Sequence, residues 1–152
     1  MRWLEDYQVG QIERFGAYQV TREEVLDFAT RYDPQPFHLN DEAAAANPIF
    51  GRLAASGWHT CSMVMRMLVD HATEDGHFSL GSPGMDEIRW LKPVYPGDTL
   101  SVKSEVTDVR PSRSRPDIGS VYFTITAFNQ HGEPVMRQKA ANLQPRRPAQ
   151  SQ

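Results

Sequence analysis

Gly57-Trp58-His59-Thr60-Cys61-Ser62-Met63-Val64-Met65-Arg66-Met67-Leu68-Val69-Asp70-His71 spaces its apolar residues over almost every face of a helix. They are Trp58, Cys61, Met63, Val64, Met65, Met67, Leu68 and Val69. A helix apolar all round is predicted to be surrounded by protein rather than laid on a surface. Met63, Met65 and Met67 suit ordinary core filling, or an adaptable wall against a flexible apolar ligand. Such a helix needs other elements wrapped around it.

Those elements are readable on both sides. Residues 1–10 read as an irregular lead-in, and 11–20 alternate loosely enough for a strand. Thr21 followed by Glu24 is a capping-box pattern. It predicts a helix to about Arg31 that buries Val25, Leu26, Phe28 and Ala29. Asn40 or Asp41 is expected to cap a short helix over 42–46, which Asn47-Pro48 ends. Residues 49–56 read as loop. Beyond the apolar helix, 72–85 read as a long polar, Gly-rich surface connection. A short strand over 87–90 and a turn-rich corner over 92–98 come next. Strands over 99–109, 121–128 and 135–143 follow, separated by a loop at 110–118 and a tight turn at 131–134. Helices early and an antiparallel meander late describe an α+β fold, a sheet curled around the helix at 57–71. The expected organisation is one domain over 1–145, with a Pro/Arg/Gln-rich tail (146–152, the polar texture beginning at Gln144) expected to be disordered.

Composition narrows the function classes. The chain has 152 residues, 39% hydrophobic and 23% charged, with a net charge of −3. That describes a soluble globular protein without the basic stripe of a nucleic-acid binder. Cys61 is the only cysteine, so an internal disulfide and a thiolate metal cluster are excluded. No run is long and apolar enough for a membrane span, and the N-terminus has no signal-like core. A cytoplasmic location is expected. His59 and His71 lie at opposite ends of one helix, and His77 and His131 fall in a loop and a turn. All four are expected to be solvated, and no metal site is expected.

The chemistry concentrates in Asp33-Pro34-Gln35-Pro36-Phe37-His38. Two prolines in three residues predict a stiff, extended turn rather than a helix. It carries a carboxylate at one end and an imidazole at the other, an acid–base pair on a rigid support. The plainer reading is a connector between two helices.

This segment, with Asn40-Asp41 and Ala43 after it, resembles the catalytic segment of the MaoC-like hydratase/dehydratase family, which includes (R)-specific enoyl-CoA hydratases. The family pattern is aspartate, any residue, asparagine, proline, an apolar residue and histidine, and Gln35 stands at the asparagine position. Ala54-Ala55-Ser56-Gly57-Trp58-His59-Thr60 resembles the start of the family's central helix, with Ser62 where a serine recurs. Pro93-Val94-Tyr95-Pro96-Gly97-Asp98-Thr99-Leu100 resembles its strand-entry motif.

The resemblance covers roughly residues 10–145 and implies a hotdog fold, a sheet wrapped around a long central helix, usually as a homodimer or larger assembly. It implies addition of water across the C2–C3 double bond of an enoyl thioester, or the reverse, with CoA or acyl carrier protein as carrier and no cofactor. Asp33 and His38 would move the protons, and Gly57 would offer an unpaired backbone N–H to the thioester oxygen. Gln35, Phe37, Trp58 and Ser62 would contact substrate. For Ser62, a hydroxyl bonded back to its own helix is the competing reading. Two other functions fit the same fold. One is an acyl-thioester hydrolase, for which the central helix supplies only Asp70 as a carboxylate. The other is a non-catalytic thioester-binding or assembly subunit.

Overall fold

The computed structural model describes residues 1–149; the remainder of the expected tail lies outside the described residues. Five strands form one antiparallel sheet in the order β1-β3-β4-β5-β2. They are β1 (Ile12–Gln19), β2 (Gly81–Trp90), β3 (Thr99–Pro111), β4 (Ile118–Phe128) and β5 (Pro134–Pro145). The helices are α1 (Arg22–Tyr32), α2 (Pro36–Leu39), α3 (Asp41–Ala46) and α4 (Gly57–Asp75). The sheet packs around α4 in the hotdog arrangement, so the α+β expectation holds. Among the described residues, no helix is long and apolar enough to cross a membrane.

The meander is only partly as expected. β3, β4 and β5 follow one another, but β2 pairs with β5 at the far edge and β1 takes the place beside β3. The corner at 92–98 carries the chain across the sheet. β2 is also longer than the strand expected at 87–90. It begins at Gly81, so the loop after α4 is short rather than long. Polar and glycine residues hid this strand, because it is an edge strand exposed over most of its length.

α4 is not enclosed on all sides. Its buried residues are His59, Thr60, Met63, Val64 and Met67. The spacing of three and four is that of one helical stripe. This stripe meets Leu100, Val102, Ile125, Ala127, Met136 and Ala140 of the sheet. Trp58, Met65 and Val69 stand on another face at 57%, 46% and 45% exposure. The apolar residues therefore make two stripes, and only one is covered within the chain.

The ends of the chain also depart from expectation. Residues Leu4–Asp6 form a 3₁₀ turn that buries Leu4 against Val106 and Val121. Gln144 is buried in β5. Arg146 donates to Asp117 O through its backbone and to Glu5 through Nε at 3.0 Å, and Arg147 N donates to Glu5 at 2.9 Å. The carboxylates of the N-terminal turn thus order residues whose composition reads as a loose tail.

Gly16 lies where β1 shifts register against β3, at φ +89°. A Cβ there would come within 2.4 Å of Met67 Sδ, whereas one at Gly51, φ +69°, would meet nothing within 4 Å. Both substitutions carry left-handed strain of about 1–2 kcal/mol, and only Gly16→Ala adds overpacking, typically about 1–3 kcal/mol. Urea unfolding is expected to show the larger drop in midpoint for Gly16→Ala, at unchanged slope.

Candidate active site

Asp33 closes α1 and donates its backbone N–H to Ala29 O at 2.9 Å. The expected extended turn is then cut short, because residues 36–39 form the helical turn α2, with Pro36 at its first position. A proline there sacrifices no hydrogen bond, since the first N–H groups of a helix have no partner within it. The local bonds Gln35 N to Asp33 O (2.8 Å) and His38 N to Gln35 O (2.9 Å) curl the chain back on itself. That curl brings His38 Nε2 to 3.5 Å from Asp33 Oδ2.

His38 is 4% exposed. Its Nδ1 lies 2.8 Å from Ala54 O. A carbonyl only accepts, so this bond places a proton on Nδ1 and, in the neutral ring, leaves the Nε2 lone pair facing Asp33. Phe37 and Phe50 stack at 5.1 Å, and both rings flank the imidazole. A carboxylate oxygen and an imidazole lone pair are both acceptors. The group that suits both is a donor with two hydrogens lying beside the pair, such as water.

Gln35 Nε2 donates to Asp33 Oδ1 at 2.7 Å. The glutamine side chain thus orients the carboxylate. Burial, the strongest single influence, pushes the Asp33 pKa up. The Gln35 bond, the nearby Ser56 hydroxyl and the positive charge available to His38 together outweigh it and hold the carboxyl below its usual range. Ser56 Oγ is buried with no partner at hydrogen-bonding distance, so it acts as a nearby dipole rather than a formed bond.

Gly57 begins α4, after Ser56 in the N-cap position. Its missing side chain has a definite use, though not an open approach. Trp90 covers it, donating Nε1–H to Gly57 O at 2.9 Å, and a Cβ on Gly57 would sit 2.4 Å from Trp90 Cε2. Trp58 meets Trp90 edge to face at 5.2 Å. A cleft of about 420 Å³ takes in Asp33, Gln35, Phe37, His38, Gly57 and Trp58 together with Thr60, Phe50 and Trp90.

Six of the seven residues expected in the site therefore share one cleft. Ser62 does not line it. Its hydroxyl donates to Trp58 O at 2.9 Å, and it lines a separate cavity with Tyr18, Glu24 and His59. Asp70 is tied to Arg66 at 3.0 Å on the outer face of α4, away from the cleft. Phe50 and Trp90 were not picked out from the sequence, and Ala54 and Ser56 entered only as part of the Ala54–Thr60 motif, without a site role. Of these, only Ser56 has a local signal, as a serine just before a helix start.

Two histidines expected in solvent are instead held by neighbours. His59 is 2% exposed, stacks on Phe28 at 4.8 Å, and has Nε2 3.1 Å from Glu24 Oε1. Thr21 caps α1 as expected, but Glu24 leaves its half of the capping box unmade, because its carboxylate is taken by His59 and Tyr18. Burial, followed by the bond to Glu24, pushes the Tyr18 pKa up to about 12. His71 stacks on Phe15 at 4.0 Å and points Nε2 between Glu13 and Asp75, a grouping of metal-ligating side chains that the sequence reading did not expect.

Known proteins share this fold. The crystal structure of a MaoC-like dehydratase from Rhodospirillum rubrum superposes with a TM-score of 0.89 at 40% identity, covering 98% of this chain and 100% of that one. The Bacillus subtilis protein YdeM is 27% identical over 84% of this chain and 87% of its own length. A 3-hydroxybutyryl-CoA dehydratase of Methylorubrum extorquens is 29% identical over 74% of this chain and 69% of its own length. Other, longer curated relatives are matched over 30% of their length or less. The family model described as the MaoC like domain matches residues 8–126. With that match spanning most of the sheet, α4 and the Asp33–His38 cleft, the chain belongs to the MaoC-like dehydratase family.

Proposed function

We propose that the protein hydrates an enoyl thioester, or dehydrates the matching 3-hydroxyacyl thioester, with Asp33 and His38 as its acid–base pair. The observation that carries this reading is the contact of His38 Nδ1 with Ala54 O, an atom that can only accept. The bond to Ala54 leaves Nε2 as a base beside an ionised Asp33, close enough for both to contact one water lying next to the pair. The water oxygen attacks C3 as one of its protons passes to the pair. C2 then takes a proton from the same pair, so hydroxyl and hydrogen are added with no net change in the enzyme. Negative charge that gathers on the thioester oxygen meets the backbone N–H of Gly57, whose position at the start of α4 leaves it without a helical partner. The aromatic wall of Phe37, Trp58 and Trp90 suits the apolar part of an acyl group. The relation to a 3-hydroxybutyryl-CoA dehydratase supports a CoA thioester. Gln35 acts in this scheme by positioning Asp33 rather than by touching substrate.

Incubation with crotonyl-CoA tests the reading directly. Hydration is expected. Release of free thiol instead would identify a hydrolase, and neither product would leave a binding subunit. Asp33→Asn and His38→Ala should each lower kcat/KM by at least ~10²-fold with the fold intact. The double variant should cost little more than either single one, because paired groups act as a unit. Wild-type rates in either variant would discard the mechanism.

Gln35→Ala removes one donor from an ionised acceptor, worth about 1.5–3 kcal/mol. A loss of roughly ten-fold or more in kcat is expected, at little change in KM. An unchanged kcat would make Gln35 a structural residue only.

The second stripe of α4 and the edge strand β2 support a homodimer. Met65 and Val69 border one cavity with exposed Phe78 and Met85, beside an unpaired strand edge. Sedimentation is expected to give a dimer that Met65→Glu shifts toward monomer. A wild-type monomer that persists at micromolar concentration would refute this.

A further inference from the structure

We propose that Glu13, His71 and Asp75 form a binding site for a divalent transition-metal cation of the zinc class, separate from the Asp33–His38 cleft. His71 and Asp75 are four residues apart and so share one face of α4. Glu13 reaches them from β1. The three ligand atoms lie within 4.8 Å of one another.

The two distances from His71 are nearer to those between ligands of one cation than to those of charge-assisted hydrogen bonds. His71 Nε2 is 3.4 Å from Glu13 Oε2 and 3.5 Å from Asp75 Oδ2. Charge-assisted bonds between these groups run at about 2.7–2.9 Å. Zinc bonds of about 2.0–2.1 Å to nitrogen and oxygen give a tetrahedral edge of roughly 3.3–3.4 Å. His71 Nε2 is buried with no hydrogen-bond partner. Its ring is already fixed by parallel stacking on Phe15, 5° from coplanar. Arg2 occupies the other oxygen of Glu13, Oε1, at 3.2 Å, and so holds the carboxylate with Oε2 turned to the site.

Open space adjoins the unpartnered His71 Nε2 and its two carboxylates. The triad borders a cavity of about 360 Å³ between α4 and the sheet, and Gln144 lines it. Gln144 is 2% exposed, and its Oε1 is buried without a partner. One imidazole and two carboxylates with no thiolate select zinc, or manganese or cobalt, over a soft cation. The cation would tie β1 to the C-terminal end of α4.

The test uses the full chain stripped with chelator, with Zn²⁺ and Co²⁺ as probes. Calorimetry is expected to show one Zn²⁺ per chain, and Co²⁺ to give the visible absorption of a four-coordinate N/O site. His71→Gln should abolish both signals. Asp75→Asn, at a half-exposed helix end where misfolding is not at issue, should weaken binding at least ~10-fold, and His131→Gln should leave it unchanged. Failure to bind Zn²⁺, or binding that survives Asp75→Asn and His71→Gln, would overturn the proposal and leave the triad an ion pair. Hydration of crotonyl-CoA is scored separately, since neither outcome bears on Asp33 and His38.

Discussion

The buried stripe of α4 is the contact on which the rest of the structure depends. Met63, Val64 and Met67 fill the curl of the sheet, and fully burying each such side chain contributes about 1.5–3 kcal/mol. Because a helix is rigid along its length, this one contact fixes both of its ends. At one end Gly57 is set under Trp90 and beside the Asp33–His38 segment. At the other, His71 and Asp75 are set against β1. Two separate clusters of chemistry are thus positioned by the same apolar packing, and neither has to hold itself in place.

How much of this was readable beforehand depends on whether the decisive contact is local. Asp33 and His38 stand five residues apart on a proline-stiffened segment, so their pairing shows in the residue order. The Thr21 cap and the strand patterns of β3 to β5 are equally local. The helical turn at Pro36 was missed because proline was weighed as a helix breaker, when at the first position of a helix it is a starter. The proton position on His38 rests on Ala54, sixteen residues away, and the use of Gly57 rests on Trp90, thirty-three residues away. No periodicity reports such contacts. Glu13 joins His71 only once β1 lies against α4.

The helix shows a different kind of limit. An apolar residue pattern states that a face avoids water, but not which molecule covers it. Met63 and Met65 read alike in sequence, yet one is buried in its own sheet and the other is 46% exposed. Likewise the residues before and after Arg146 are polar and proline-rich, yet Glu5 and Asp6 hold that arginine and Arg147 in place. Composition alone weighs the cost of ordering such a segment and omits the charges that offset it.

The Trp58–Trp90 contact gives the cleft an optical signature. Two indoles at 5.2 Å, with planes 81° apart, are close enough for their excited states to couple, and the coupling changes sharply with their mutual angle. Both rings line the cleft, and Trp3, the remaining tryptophan, does not. A molecule that enters and tilts either ring alters the near-ultraviolet circular dichroism and the emission of the protein. Occupancy of the cleft can therefore be followed without a label or a chemical turnover.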